Sequence, residues 1–189
     1  MTAKPRGKSA VRAALMQAAG IMLSRHGITG VSVRDIAQEA KVNHGLIHRH
    51  FGSKDRLVQE TVQSLSDRIA GQLGPAAPDE SLSDLLRNTM NATETQSHYY
   101  RILAFLMLTD GGEELIQSDF PVVRRMLKAV EREPNRMLST KATIVMLLSL
   151  GLGLMIFEPY LRRAAKLSDA EFQSIRMELG RWASQLVRG

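Results

Sequence analysis

The sequence predicts an all-α protein: a small N-terminal three-helix module joined to a larger helical bundle, about nine helices in all. Three observations predict it. Apolar residues recur at spacings of three and four through most of the 189 residues, the period of one helix face. Capping and stop residues (Ser, Asn, Gly, Pro) punctuate that pattern, and no stretch alternates in the two-residue period of a strand. The charge is also divided: up to Arg56 there are 10 Lys or Arg against 3 Asp or Glu, and beyond it 15 against 16. An excess confined to one module is what a polyanion partner requires.

In chain order, Val11, Leu15, Ala18, Ala19 and Met22 mark a helix from Ser9 to about Arg25, which Gly27 stops. Ser32 with Asp35 three residues on forms a capping box for a short second helix with Ile36, Ala37 and Ala40 inward. Asn43 can cap a third with Ile47 and Phe51 inward, and Ser53 a fourth with Asp55 in its first turn. The stretch GQLGPAAP, Gly71 to Pro78, is the clearest break and is read as the linker. Beyond it, Ser81 and Asp84 open a helix to about Ser97, and Tyr99 to Leu108 forms another that Gly111 and Gly112 end. Glu113 to Val130 is expected helical with an interruption near Pro121; a long helix runs from Arg136 to Phe157, which Pro159 helps to end. Ser168 and Glu171 box the start of the last helix.

Several functions are excluded. The longest apolar stretch, Ile144 to Phe157, has 14 residues, short of the roughly 18 to 20 that span a bilayer. Arg12 and Gln17 interrupt what would otherwise resemble an export signal after Lys4, Arg6 and Lys8. With 0 cysteines there is no disulfide frame, thiolate metal site or thiol nucleophile, which fits a cytoplasmic location. No phosphate loop, HExxH or G-x-S-x-G occurs, so neither an enzyme nor a bound cofactor is expected. His44 and His48 stand at i, i+4 without a neighbouring carboxylate, so no metal is expected either.

Two short capped helices behind a longer amphipathic one have the build of a helix-turn-helix, whose second helix enters the major groove of DNA. On a helical wheel the side opposite Ile47 and Phe51 presents His44, Gly45 and His48, flanked by Arg49 and Leu46. Gly45 lets a base edge approach, and the imidazoles offer donors and acceptors. Arg34 reaches a phosphate or a guanine edge, or is a solvated arginine, as Arg49 is if it makes no contact; Leu46 packs or meets a thymine methyl. Ser32 and Asn43 cap first and contact DNA second, while His50 either packs or touches a phosphate. Lys4, Arg6 and Lys8 form a basic arm for the DNA backbone or minor groove.

The run VSVRDIAQEAKVNHGLIHRHFGSKDRLV, Val31 to Val58, resembles the N-terminal module of the TetR family of bacterial transcriptional regulators. The resemblance rests on the IA-x-x-A-x-V core, Gly45, the His50–Phe51 pair and SKD-x-L at Ser53 to Leu57, and it covers roughly residues 10 to 60. It implies a helical fold, a homodimer, an effector pocket in the other module, and a phosphate contact for Lys54. Two positions depart from the pattern. Lys41 replaces the usual turn glycine, at a cost of about 1 kcal/mol if left-handed, and His48 replaces the usual tyrosine. The expected division is a DNA-binding module at 1–57 and a ligand-binding and dimerisation module at 58–189.

In the larger module, Phe172, Ile175, Leu179, Trp182 and Leu186 repeat at a seam spacing, and Leu148, Gly151 and Leu152 offer a facing surface. They form a homodimer interface or bury within their own subunit. Met90, His98, Tyr99 and Tyr100 precede a second adaptable group, Phe105, Met107, Phe120 and Met126; these line an effector cavity or pack as core. The expectation is a dimeric transcriptional regulator on a palindromic double-stranded DNA operator, a repressor released by a small apolar or aromatic molecule, with no membrane partner. The alternatives are a DNA-binding regulator without an effector and a helical carrier of apolar ligands.

Overall fold

The computed structural model describes residues 5, 7–77, 79–94, 96–133 and 138–188. Among them are ten α-helices and no strand: α1 Lys8–His26, α2 Val33–Glu39, α3 Gly45–Phe51, α4 Lys54–Gln72, α5 Leu82–Glu94, α6 Ser97–Met107, α7 Pro121–Arg132, α8 Thr140–Ile156, α9 Glu158–Ala164 and α10 Asp169–Arg188. A single 3₁₀ turn, Gly112–Leu115, follows α6. The helix beyond the expected nine is α9, which Pro159 opens from its first turn; a proline lacking an N–H suits that position as well as it ends α8. Likewise α7 starts on Pro121 instead of running on from Glu113. Ser139 caps α8 through the Ala142 N–H, so that helix begins at Thr140, and Arg136 lies outside the described residues.

The chain folds into two compact units, Met1–Ser66 with His98–Asp119, and Asp67–Ser97 with Phe120–Gly189. The packing therefore does not divide at 57/58. The segment His98–Asp119 joins the first unit because its apolar face is needed there: Tyr99, Ile102 and Leu106 are buried. Specific bonds fix it. Gln59 Nε2 donates to the Glu114 carbonyl at 2.7 Å, and the Asp119 N–H donates to Gln63 Oε1 at 3.2 Å. Gly27, at φ 69 and ψ 176, ends α1 where only glycine is at ease; a Cβ there would stand 3.0 Å from the Phe105 ring.

In the second unit Leu82, Leu85, Met126, Val130, Ile144 and Leu147 form the apolar core, joined by Ala183 and Val187 of α10. Arg125 of α7 clasps the stretch after α4: its Nε and Nη2 meet the Glu80 carboxylate at 2.6 and 2.5 Å, and Nη1 donates to the Gly74 carbonyl at 2.7 Å. No single helix among the described residues is long and apolar enough to cross a membrane; α8 and α9 reach that measure only as a pair bent by 76°.

Candidate nucleic-acid interface

The first unit presents α3 by fixing its back and both its ends. Ile36 and Ala37 of α2 and Ile47 and Phe51 of α3 are buried, each large side chain contributing about 1.5–3 kcal/mol. Ser32 and Asp35 form the capping box: the Ser32 N–H and hydroxyl donate to Asp35 Oδ2 at 2.8 and 2.6 Å, and the Asp35 N–H returns to Ser32 Oγ at 3.2 Å. The Ser32 hydroxyl thereby holds the Asp35 carboxyl below its ordinary range, with its N–H adding to the effect.

The turn between α2 and α3 closes with the Val42 N–H on the Ala37 carbonyl and the Lys41 N–H on the Gln38 carbonyl, both at 3.0 Å. This is a Schellman arrangement, and it puts Lys41 in the left-handed region at φ 56, the conformation that costs a residue standing in for the usual turn glycine. Asn43 Oδ1 accepts the Gly45 N–H at 2.8 Å, so Asn43 caps α3 although the regular helix starts at Gly45. A Cβ on Gly45 would stand 3.2 Å from that same oxygen. At the far end, His48 Nδ1 lies 3.1 Å from the Gly52 carbonyl oxygen.

The outer face matches the helical wheel. Asn43, His44, Gly45, His48 and Arg49 are exposed, with Leu46 half-buried beside them; Ser32 and Arg34 are exposed on α2 and its cap. His50 and Lys54 sit deeper. His50 Nδ1 is buried without a hydrogen-bond partner. Lys54 Nζ donates to the Ile28 carbonyl at 2.5 Å, and burial lowers its pKa from the ordinary lysine value. That ammonium pins the start of α4 to the loop after α1, and two of its three N–H groups remain for other acceptors. Lys8 begins α1, whereas Lys4 and Arg6 lie outside the described residues.

Arg12 also belongs to the site, although periodicity alone gives it no role there. Its Nη1 donates to the His50 carbonyl at 2.8 Å, its Nη2 pairs with Glu60, and its guanidinium lies 4.4 Å from the centroid of the Phe51 ring. One side chain of α1 thus grips the end of α3 and reaches α4. The signal was available: Arg12 precedes Leu15 by three and Ala19 by seven, which places a cation on the flank of the buried stripe.

The eight residues expected to line a cavity or pack as core divide between the units. His98, Tyr99, Tyr100, Phe105 and Met107 belong to the first, and Met90, Phe120 and Met126 to the second. Tyr99 is buried with its phenol oxygen accepting from Gln117 Nε2 at 2.5 Å, and burial raises the pKa of both Tyr99 and Tyr100. His98 Nδ1 and Ser24 Oγ are 2.8 Å apart. Met126 is core. On α10, Phe172 is 2% exposed and so already covered within its own chain, unlike the rest of the expected seam; Ile175 and Leu179 are half-buried and Trp182 is 51% exposed. The Leu186 side chain lies outside the described residues. Leu148, Gly151 and Leu152 of α8 are half-buried beside the exposed Val145. Among the described residues no three His, Asp or Glu side chains converge as a metal site would need.

Residues 15–61 match the family model of bacterial regulatory proteins of the tetR family. Together with the capped, outward-facing α3, this defines a helix-turn-helix transcriptional regulator. The chain is 31% identical over 175 residues to the HTH-type transcriptional repressor Rv3405c of Mycobacterium tuberculosis, spanning 93% of this chain and 88% of that protein. It therefore belongs to the tetR family, whose members are regulators and not enzymes. A shorter match, 34% over 109 residues, covers 54% of this chain and 53% of the regulator BetI of Agrobacterium fabrum. The fold is shared with a tetR-family protein of Rhodococcus RHA1 (TM-score 0.71, 16% identity, 94% and 96% of the two chains) and with GusR of Salmonella enterica (0.67, 13%, 95% and 96%).

Proposed function

We propose that this chain is a cytoplasmic homodimeric repressor that binds a palindromic double-stranded DNA operator and leaves it when a small apolar or aromatic molecule binds. Residues 1–57 read the DNA, and residues 58–189 bind the effector and dimerise. The observation that carries this reading is α3: His44, Gly45, His48 and Arg49 are exposed together while Ile47 and Phe51 anchor the opposite side. The basic excess up to Arg56 attracts phosphate, and Ser32, Arg34, Asn43, His50 and Lys54 complete the DNA contacts. Repression rather than activation is supported by the similarity to Rv3405c, a repressor.

Dimerisation is supported by apolar side chains left uncovered on α8 and α10, Val145 at 63% and Trp182 at 51% exposure, beside the half-buried Leu148, Leu152, Ile175 and Leu179. Two identical readers at fixed spacing match a two-fold operator. Selection of DNA by the full-length protein from a random pool tests the reading: an enriched inverted repeat is expected, and enrichment without symmetry, or none at all, refutes it. Release of the selected DNA by apolar compounds is the further expectation. A compound that binds a protein with no DNA preference would identify a carrier instead, and selected DNA that no compound releases would identify a regulator without an effector.

A further inference from the structure

We infer that His48 reads DNA as a hydrogen-bond acceptor, its Nε2 taking a hydrogen from an exocyclic amine of cytosine or adenine in the major groove. This rests on the DNA-reading role proposed for α3 and adds to it the chemistry of one contact.

The geometry begins in the last turn of α3. His48 Nδ1 lies 3.1 Å from the Gly52 carbonyl oxygen. A carbonyl oxygen only accepts, so the ring nitrogen that faces it carries the hydrogen. A neutral imidazole has one such hydrogen, which leaves Nε2 with its lone pair. Gly52 holds the carbonyl in place: it ends α3 at φ 81 and ψ −48, and its own N–H donates to the His48 carbonyl at 3.0 Å. Residue 48 and residue 52 are thus bonded twice, once through the backbone and once through the ring. The ring is exposed on the same face as His44 and Gly45, and Nε2 points away from the backbone that Nδ1 faces.

The consequence is a choice among the groups DNA offers. Phosphate oxygens, guanine O6 and N7, and thymine O4 are all acceptors and give nothing to a lone pair. Cytosine N4 and adenine N6 are the donors of the major groove. Tyrosine, the usual residue at this position in the family resemblance noted above, has a hydroxyl that donates or accepts and makes no such distinction. The start of the helix has the opposite polarity, because Asn43 Oδ1 accepts the Gly45 N–H at 2.8 Å, which leaves NH₂ as the group this amide can still offer. Bonds at the two ends of α3 therefore leave Asn43 with a donor to offer and His48, five residues further on, with an acceptor.

The test uses the full-length protein at about pH 8, above the ordinary histidine range. DNA is selected from a random pool by the wild type and by His48→Ala to find the base pair in each half-site whose preference depends on His48. At that pair cytosine is replaced by 2-pyrimidinone, or adenine by purine, either of which lacks only the amine. The wild type should lose about 5-fold in affinity per half-site, the size of one ordinary hydrogen bond, and His48→Ala should lose nothing. Equal loss in both proteins, no loss in the wild type, or no base pair that responds to His48→Ala overturns the inference. Independently, ¹⁵N-histidine-labelled protein should show the His48 proton on Nδ1 in the free and DNA-bound states, the signals being assigned by their absence in His48→Ala. A proton on Nε2, or on both nitrogens in the complex, overturns it. If no sequence is selected at all, the DNA-reading role falls as well; a selected site whose amine is dispensable sinks this inference alone.

Discussion

Among the described residues, Arg12 of the first unit and Arg125 of the second each clasp backbone and a carboxylate at once, and the two are put to different uses. In the first, Arg12 grips the His50 carbonyl, Glu60 and the Phe51 ring, so its three contacts converge on the end of α3 and on α4. In the second, Arg125 grips Glu80 and the Gly74 carbonyl and fixes the stretch that follows α4. Matched pairs recur elsewhere. Lys41 and Lys166 both end helices in the left-handed region at φ 56, and Ser32–Asp35 and Ser168–Glu171 are capping boxes of the same geometry. In the first unit all of these devices bear on α2 and α3 and leave a polar face outward. In the second they bear on loops and helix ends, while single apolar side chains, Val145 of α8 and Trp182 of α10, stay exposed. Polar bonds that fix α3 in the first unit, and bonds that fix loops and helix ends in the second, are different uses of the same parts.

The comparison breaks first at the arginines. Arg125→Met should cost about 3 kcal/mol, because it strands the mostly buried Glu80 carboxylate; urea unfolding measures it, and a loss below about 1 kcal/mol would mean that the clasp is dispensable. Arg12→Met should cost less, about 2 kcal/mol, since its pair is partly solvated. It should in addition weaken binding to selected DNA by about tenfold, whereas Arg125→Met leaves DNA affinity of the folded protein unchanged. Equal effects on DNA would erase the distinction between the two clasps.

The capping boxes and the turn after α2 are legible in the sequence because their partners lie three to five residues apart: serine, carboxylate and the out-of-place Lys41 can be read locally. The outward set His44, Gly45, His48 and Arg49 is legible for the same reason, as one side of a short helix whose other side is Ile47 and Phe51. Arg12 and Arg125 are not legible as clasps, because their partners lie 38 and 45 positions away in sequence. Lys54 is an intermediate case, since its position was readable but its bond to the Ile28 carbonyl was not. Phe172, covered within its own chain, is a different case. On a helix with apolar residues on both sides, periodicity finds the stripe but does not say which edge faces inward, and Ala183 and Val187 take that place.

The lysine pair sharpens the comparison at a smaller scale. Lys41→Gly and Lys166→Gly should each raise stability by about 0.5–1 kcal/mol, the left-handed cost relieved less the extra freedom of glycine in the unfolded chain. A gain at one site only, by thermal or urea unfolding, would show that the two turns are not equivalent. The smallest effect is acid sensitivity. Asp35 and Glu171 are both held below their ordinary values by their serine partners, each hydroxyl contributing most. A carboxyl with a depressed folded-state pKa stabilises above its unfolded value, and that contribution fades as pH falls through the folded one. Helicity should therefore decline below about pH 4, and Ser32→Ala with Ser168→Ala should flatten the decline. An unchanged acid limb in a circular dichroism titration would remove the boxes from the account.

Residues 98 to 119 belong with the first unit although the chain on both sides of them belongs with the second. A knife placed after Ser66 would strip away Tyr99, Ile102 and Leu106, and would leave Gly27 facing the void where the Phe105 ring had been. The first unit is consequently no cassette for transplantation. Any graft that keeps it whole must carry two separate lengths of chain, and must supply a host able to accept the interruption.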